Sequence, residues 1–125
     1  MYKPGEACIS LFQFWNKATK RMEFKRRPFI IIGVTGQNDY IVLPISRVTI
    51  EADRDAHYDY PLSKEGFILL NLSENSFIRI HKPTTIHEGQ ISKIITDFSS
   101  NYPNSYLEIM SLYEEFQRHI VNNSI

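Results

Sequence analysis

One cysteine, Cys8, stands in 125 residues, so no internal disulfide can brace this chain and its stability has to come from packing. Between Ala7 and Ile9 that thiol reads as a small core residue, and a reducing compartment fits its solitude. Long hydrophobic runs are missing too. The most continuous, from Phe29 to Val34, is far short of the roughly 20 residues that cross a bilayer. No apolar signal segment opens the sequence, and a cytoplasmic protein is expected. Chemical signatures are equally scarce. The chain has no Cys-x-x-Cys, no His-Glu-x-x-His, no phosphate-binding glycine loop and no Gly-x-Ser-x-Gly elbow. Its four histidines, at 57, 81, 87 and 119, are scattered, and the six-residue step from His81 to His87 is not a zinc spacing. Neither metal nor cofactor is therefore expected, and any hydrolytic chemistry has to rest on side-chain acids, bases and cations.

Net charge is absent as well, because 14 Lys and Arg balance 14 Asp and Glu, but the balance hides an asymmetry. Residues 1–50 carry eight cations against three acids, and residues 51–125 carry six against eleven. Either the halves neutralise one another on a mixed surface, or the first half faces an anionic ligand. The densest positive charge, Lys25-Arg26-Arg27, runs directly into Pro28 and the apolar Phe29–Ile32.

What is present predicts one α+β domain over residues 1–125, mainly β, with room for a single core. Residues 5–14 suit an opening strand. Residues 15–27 collect six cations with one acid and read as a long loop. Phe29–Thr35, apolar almost throughout, predicts a strand buried on both sides, and Tyr40–Ile45 returns from it after a turn at 36–39. A polar loop around one short strand is expected over 51–64, strands over 66–72, 76–81 and 92–98, and a link at 84–87. Tyr106, Ile109, Met110, Tyr113, Phe116 and Ile120 recur at helical spacing, with Ser105 and Glu108 as a capping box. Arg79 and His81, two apart in a strand, project from one face. They read either as polar residues alternating with buried Ile78 and Ile80, or as a phosphate ligand beside a proton carrier.

Four short motifs occur in order: Gly5-Glu6, Arg27-Pro28 before the apolar strand, Pro44-Ile45-Ser46, and Pro83-Thr84-Thr85-Ile86-His87. In this the chain resembles, over nearly its whole length, the PemK/MazF family, the toxin components of bacterial toxin–antitoxin pairs. It departs from the family pattern in the glycine-free stretch 15–28 and at Thr84 and His87, where the family has Arg and Asp. The resemblance implies a small SH3-like antiparallel barrel with a C-terminal helix, a homodimer, and a metal-independent endoribonuclease acting on single-stranded RNA rather than DNA. The substrate's own 2′-OH would attack, leaving a 2′,3′-cyclic phosphate and a 5′-OH.

By the same resemblance Arg27, Ser46, Arg79 and His81 are the catalytic candidates. His81 would act as base, Arg27 and Arg79 as charge stabilisers, and Ser46 as a phosphate hydrogen-bond donor. Lys17, Lys20, Arg21, Lys25, Arg26 and Arg47 would bind RNA, with Trp15, Phe24 or Tyr40 as stacking platforms. Trp15 reads equally as a core or dimer residue. A cognate antitoxin would cover the cationic surface with an acidic segment. The alternative expectation is a barrel of the same fold that binds RNA or a partner without cutting.

Overall fold

The structure is a computed structural model that describes residues 1–124. Strand β1, Glu6–Asn16, and strand β2, Arg21–Thr35, pair antiparallel from Ala7 opposite Ile30 out to Asn16 opposite Arg21. The stretch 15–27 is thus mostly strand, against the expectation of a long loop. Only residues 17–20 turn. Asn16 Oδ1 accepts from the backbone N–H of Ala18 at 2.9 Å and of Thr19 at 3.3 Å, and Lys20 closes the turn at φ 55°. Glu23 ties the turn to the strands, accepting from Asn16 Nδ2 at 2.7 Å and Thr19 Oγ1 at 3.1 Å. Asn16 is also the chief reason its carboxyl lies below the usual range. Met22 and Phe24 do alternate with Arg21, Glu23 and Lys25 at strand period, but the crowd of cations obscures the alternation.

Strand β3, Asp39–Ser46, pairs with β2 from Thr35–Asp39 to Phe29–Pro44. Four shorter strands follow: β4, Asp59–Leu62; β5, Ser76–Arg79; β6, Thr84–His87; and β7, Ile91–Asp97. The sheet order is β4-β5-β3-β2-β1-β7, with β6 also paired to β3. Two expectations fail here. The stretch 66–72 is not a strand but a turn around a single 3₁₀ turn at Ile68–Leu70. There Phe67, Leu70 and Leu72 face the core while Ile68 and Leu69 face solvent. The expected link at 84–87 is strand β6, which buries only Ile86 and so carries little apolar signal.

The chain closes with a short helix α1, Phe98–Asn101, and a long helix α2, Pro103–Ser124. Asp97 caps α1, accepting from Ser99 Oγ at 2.8 Å and from Ser100 Oγ at 2.9 Å. These hydroxyls, Ser99 first, hold its carboxyl below the usual range. Helix α2 opens at Pro103, where a missing N–H costs nothing, so the expected capping box of Ser105 and Glu108 lies inside the helix instead. Ile109 is fully buried, and Tyr106, Met110, Tyr113 and Phe116 pack beside it. The apolar stripe ends there, for Ile120 is 48% exposed. No described helix is long and apolar enough to cross a membrane.

Strand β2 divides two cores. Ile30 and Ile32 join Ala7, Leu43, Ile45, Ile78, Phe98 and Ile109 on the helix side, whereas Phe29 and Ile31 join Cys8, Tyr40, Val42, Ile86 and Ile91 on the other. The expected strand buried on both sides is present, and each such side chain contributes roughly 1.5–3 kcal/mol by leaving water. Cys8 is fully buried, and its thiol is pushed up to about 12, first by burial and then by the nearby Glu6 carboxylate. Gly5 anchors the entry to β1 at φ 97°, and a Cβ there would fall 2.3 Å from Ser99 Oγ. Only glycine meets both demands.

A candidate nucleic-acid interface

Side chains two apart on a strand share a face, and directly paired residues of neighbouring strands share one too. Phe29 pairs with Pro44, so Arg27, two before Phe29, and Ser46, two after Pro44, lie on the same face of the sheet. Ser46 pairs with Phe77, and Arg79 follows two residues later. This is the face that farther along the sheet forms the Cys8–Phe29–Val42 core. Beyond the part of β3 that pairs with β6, polar and cationic residues take the place of the core residues.

Arg27 and Ser46 both line an open cleft of about 650 Å³ at the point where β2 leaves the body. Lys25, Arg26, Arg47 and Lys93 line it as well, with Ile9, Pro28, Ile45 and Leu70 as apolar surface, and no carboxylate among the lining residues. Ile9, Pro28, Ile45 and Leu70, with Arg26, belong to the helix-side face and Arg27 and Ser46 to the other, so the cleft wraps the end of the sheet with five cations along it, a site for an anion that also carries flat or apolar groups. Arg47 is shared with Glu74 at 3.0 Å, a pair exposed enough to exchange for a ligand. The Arg27 carbonyl accepts from Ser10 Oγ at 3.3 Å, which fastens the backbone at this point.

The other two catalytic candidates are placed differently. Arg79 and His81 gather around Asp59, whose side chain has no exposure at all. Arg79 Nε donates to Asp59 Oδ1 at 3.1 Å, and its Nη2 donates to the Asp53 carbonyl at 2.6 Å. Asp59 Oδ2 also accepts from the Asp55 backbone N–H at 2.8 Å. His81 Nε2 lies 3.5 Å from Arg79 Nη2, and its Nδ1 lies 3.8 Å from Asp59 Oδ1. Since guanidinium only donates, Nε2 accepts and the proton belongs on Nδ1, facing Asp59. That Nδ1 is the one buried side-chain nitrogen or oxygen without a hydrogen-bond partner among the described residues. Neither Arg79 nor His81 lines the cleft. The four candidates therefore fall into two groups, a pair that lines the cleft and a pair gathered around Asp59. Asp59, the centre of the clamp, gave no sign in sequence, because nothing there links a polar loop to β5.

The β1–β2 hairpin extends past the rest of the sheet as a two-stranded arm. Beyond Ser10 strand β1 has no partner but β2, and before Phe29 strand β2 has none but β1 among the described pairings. One face of the arm bears Leu11, Trp15, Met22 and Phe24, with Phe24 69% and Trp15 56% exposed. Trp15 is thus not a core residue of this chain. Tyr40 cannot serve as a stacking platform, since it is 3% exposed and its hydroxyl accepts from the Tyr2 backbone N–H at 3.1 Å. Lys17, Lys20 and Arg21 sit exposed at the tip of the arm, away from the cleft, with Arg21 held by Glu23 at 3.3 Å. Sequence reasoning missed Lys93, which β7 brings to the cleft beside Ile9. Among the described residues no three of His, Cys, Asp and Glu are grouped as a metal ion requires. In comparisons with known proteins, no family model matches this chain and no curated protein matches it.

Proposed function

We propose that this chain is a metal-independent endoribonuclease of the PemK/MazF type, acting on single-stranded RNA, its sheet and closing helix corresponding to the small SH3-like barrel of that family. The observation that carries the reading is the carboxylate-free cleft in which Arg27 and Ser46 lie among Lys25, Arg26, Arg47 and Lys93. A phosphodiester entering it meets cations on several sides and a hydroxyl donor. In the reaction the ribose 2′-oxygen forms a bond to phosphorus as its proton passes to a base. The bond from phosphorus to the 5′-oxygen then breaks, and that oxygen takes up a proton from water. Arg27 stabilises the added negative charge of the pentavalent phosphorus, and Ser46 donates to a phosphate oxygen. His81 is the base, its Nε2 exchanging the 3.5 Å contact with Arg79 Nη2 for the 2′-hydroxyl while that Nη2 keeps the Asp53 carbonyl. Asp59 then faces the Nδ1 proton and stabilises the imidazolium, a His–carboxylate arrangement familiar from hydrolases. A second copy and an acidic antitoxin segment are the partners this reading implies, in a cytoplasmic setting.

Incubation of the full chain with a long single-stranded RNA in EDTA tests the proposal. Discrete cuts ending in 2′,3′-cyclic phosphate are expected, with Arg27→Ala slowing them by about 100-fold or more. RNA left intact across pH 5–9 overturns it.

The clamped state of Arg79 and His81 favours a second reading, in which the same cleft holds RNA without cutting it. That reading expects steeply salt-dependent binding, weakened in Arg27→Ala, and no cyclic-phosphate ends at any protein concentration.

A further inference from the structure

Phe77 lies directly across from Ser46 on the exposed face of β5, and its ring is half-buried between β3 and β4, where it also pairs with Pro61. Over that ring, 4.7 Å from its centroid, sits the guanidinium of Arg54. Arg54 does not come from the sheet. It follows the single 3₁₀ turn Glu51–Asp53, and its backbone N–H donates to the Glu51 carbonyl at 3.0 Å. The preceding carbonyl, that of Asp53, is the one gripped by Arg79 Nη2, while Arg79 Nε is fixed by buried Asp59. A continuous chain of contacts therefore runs from the buried carboxylate through Arg79 to the turn that suspends Arg54 over Phe77. An exposed arginine has many rotamers to lose, and here the ring and the turn both restrict it.

We propose that Arg54, backed by Phe77, is a base-stacking subsite for the nucleotide adjoining the phosphate held at Arg27 and Ser46. The inference rests on the RNA-binding reading and adds to it where a base goes. One side of the guanidinium is occupied by Phe77, and Arg54 as a whole is exposed to solvent. A flat, cationic, pre-positioned surface beside a phosphate site is what an unstacked base requires, and arginine planes serve in this way in single-strand recognition. Ser46 and Phe77, being cross-strand partners, have Cβ atoms about 5 Å apart, a separation that lets one nucleotide reach both positions. Arg79 on this view is a positioning residue for Arg54.

The test uses the full chain and two fluorescent decamers that cannot be cut, one of 2′-O-methyladenosine and one of abasic 2′-O-methylribose phosphates. Arg54→Lys keeps the charge and removes the plane, and at an exposed position it leaves folding intact. It is expected to weaken binding of the adenosine decamer by roughly tenfold while leaving the abasic decamer unchanged. Phe77→Leu, which removes the backing ring, is expected to weaken the same decamer in the same direction. Equal losses on both decamers, or no loss on either, overturn the subsite and leave phosphate binding standing. Failure of the unaltered chain to bind either decamer overturns both proposals together.

Discussion

At the scale of single residues, the arginines of this face differ in what holds them. Arg79 is tied to a carboxylate with no exposure, and the pair stands or falls together. Asp59→Ala removes the counter-charge of a largely buried guanidinium, so a loss of roughly 3 kcal/mol in urea unfolding is expected. The double variant Asp59→Leu/Arg79→Met should recover much of that loss. Cys8 supports a second prediction. Its folded thiol ionises only at about 12, whereas an unfolded thiol does so near ~8.5. Below the unfolded value both states keep the proton and the thiol contributes no pH dependence. As pH rises through the window above it, the unfolded chain loses the proton first and stability drains away. Iodoacetamide at pH 8 should thus leave the native thiol unmodified and alkylate it in denaturant; rapid native alkylation would contradict the burial described.

At the scale of elements, legibility in sequence followed how plainly each one carried its period. The run Phe29–Ile32 announced a strand with two buried faces because every residue of it is apolar. The Ile109 stripe announced a helix because polar residues flank it regularly. The arm was hidden because Asn16, Glu23 and Lys20 shape its turn through side-chain bonds and a positive φ, neither of which shows as hydrophobic rhythm. Strand β6 was hidden by its single buried residue, and the Asp59 clamp because tertiary pairing alone brings 59 to 79. Arg27 and Ser46 were marked by motif, but their shared face needed the β2–β3 register. Two predictions belong here. Replacing Lys17 and Lys20 with Gln should lower the slope of log affinity for RNA against log salt by about one for each phosphate that a lysine no longer neutralises, with the cut positions unchanged. Ending the chain after Arg118 removes, among the described residues, only exposed ones and should change stability by less than about 0.5 kcal/mol, whereas Ile109→Ala should cost ~2–5 kcal/mol.

For the whole molecule, the decisive feature is that β2 is one unbroken strand serving both the body and the arm. Its residues alternate between two interiors, so each carries an address of odd or even. Arg27 shares the odd address of Phe29 and Ile31, and Arg26 the even one of Ile30 and Ile32. Deleting Pro28 alone would keep the interiors filled, since their side chains hold the register, yet it would advance the arm by one step. Arg26 would then stand where Arg27 stood, and Leu11, Trp15, Met22 and Phe24 would have to re-pair or turn over. In that shortened chain the residue whose loss silences the cleft should be Arg26 and no longer Arg27. Three consecutive cations ahead of the proline then work as a vernier, with the parity of the strand choosing which mark is read.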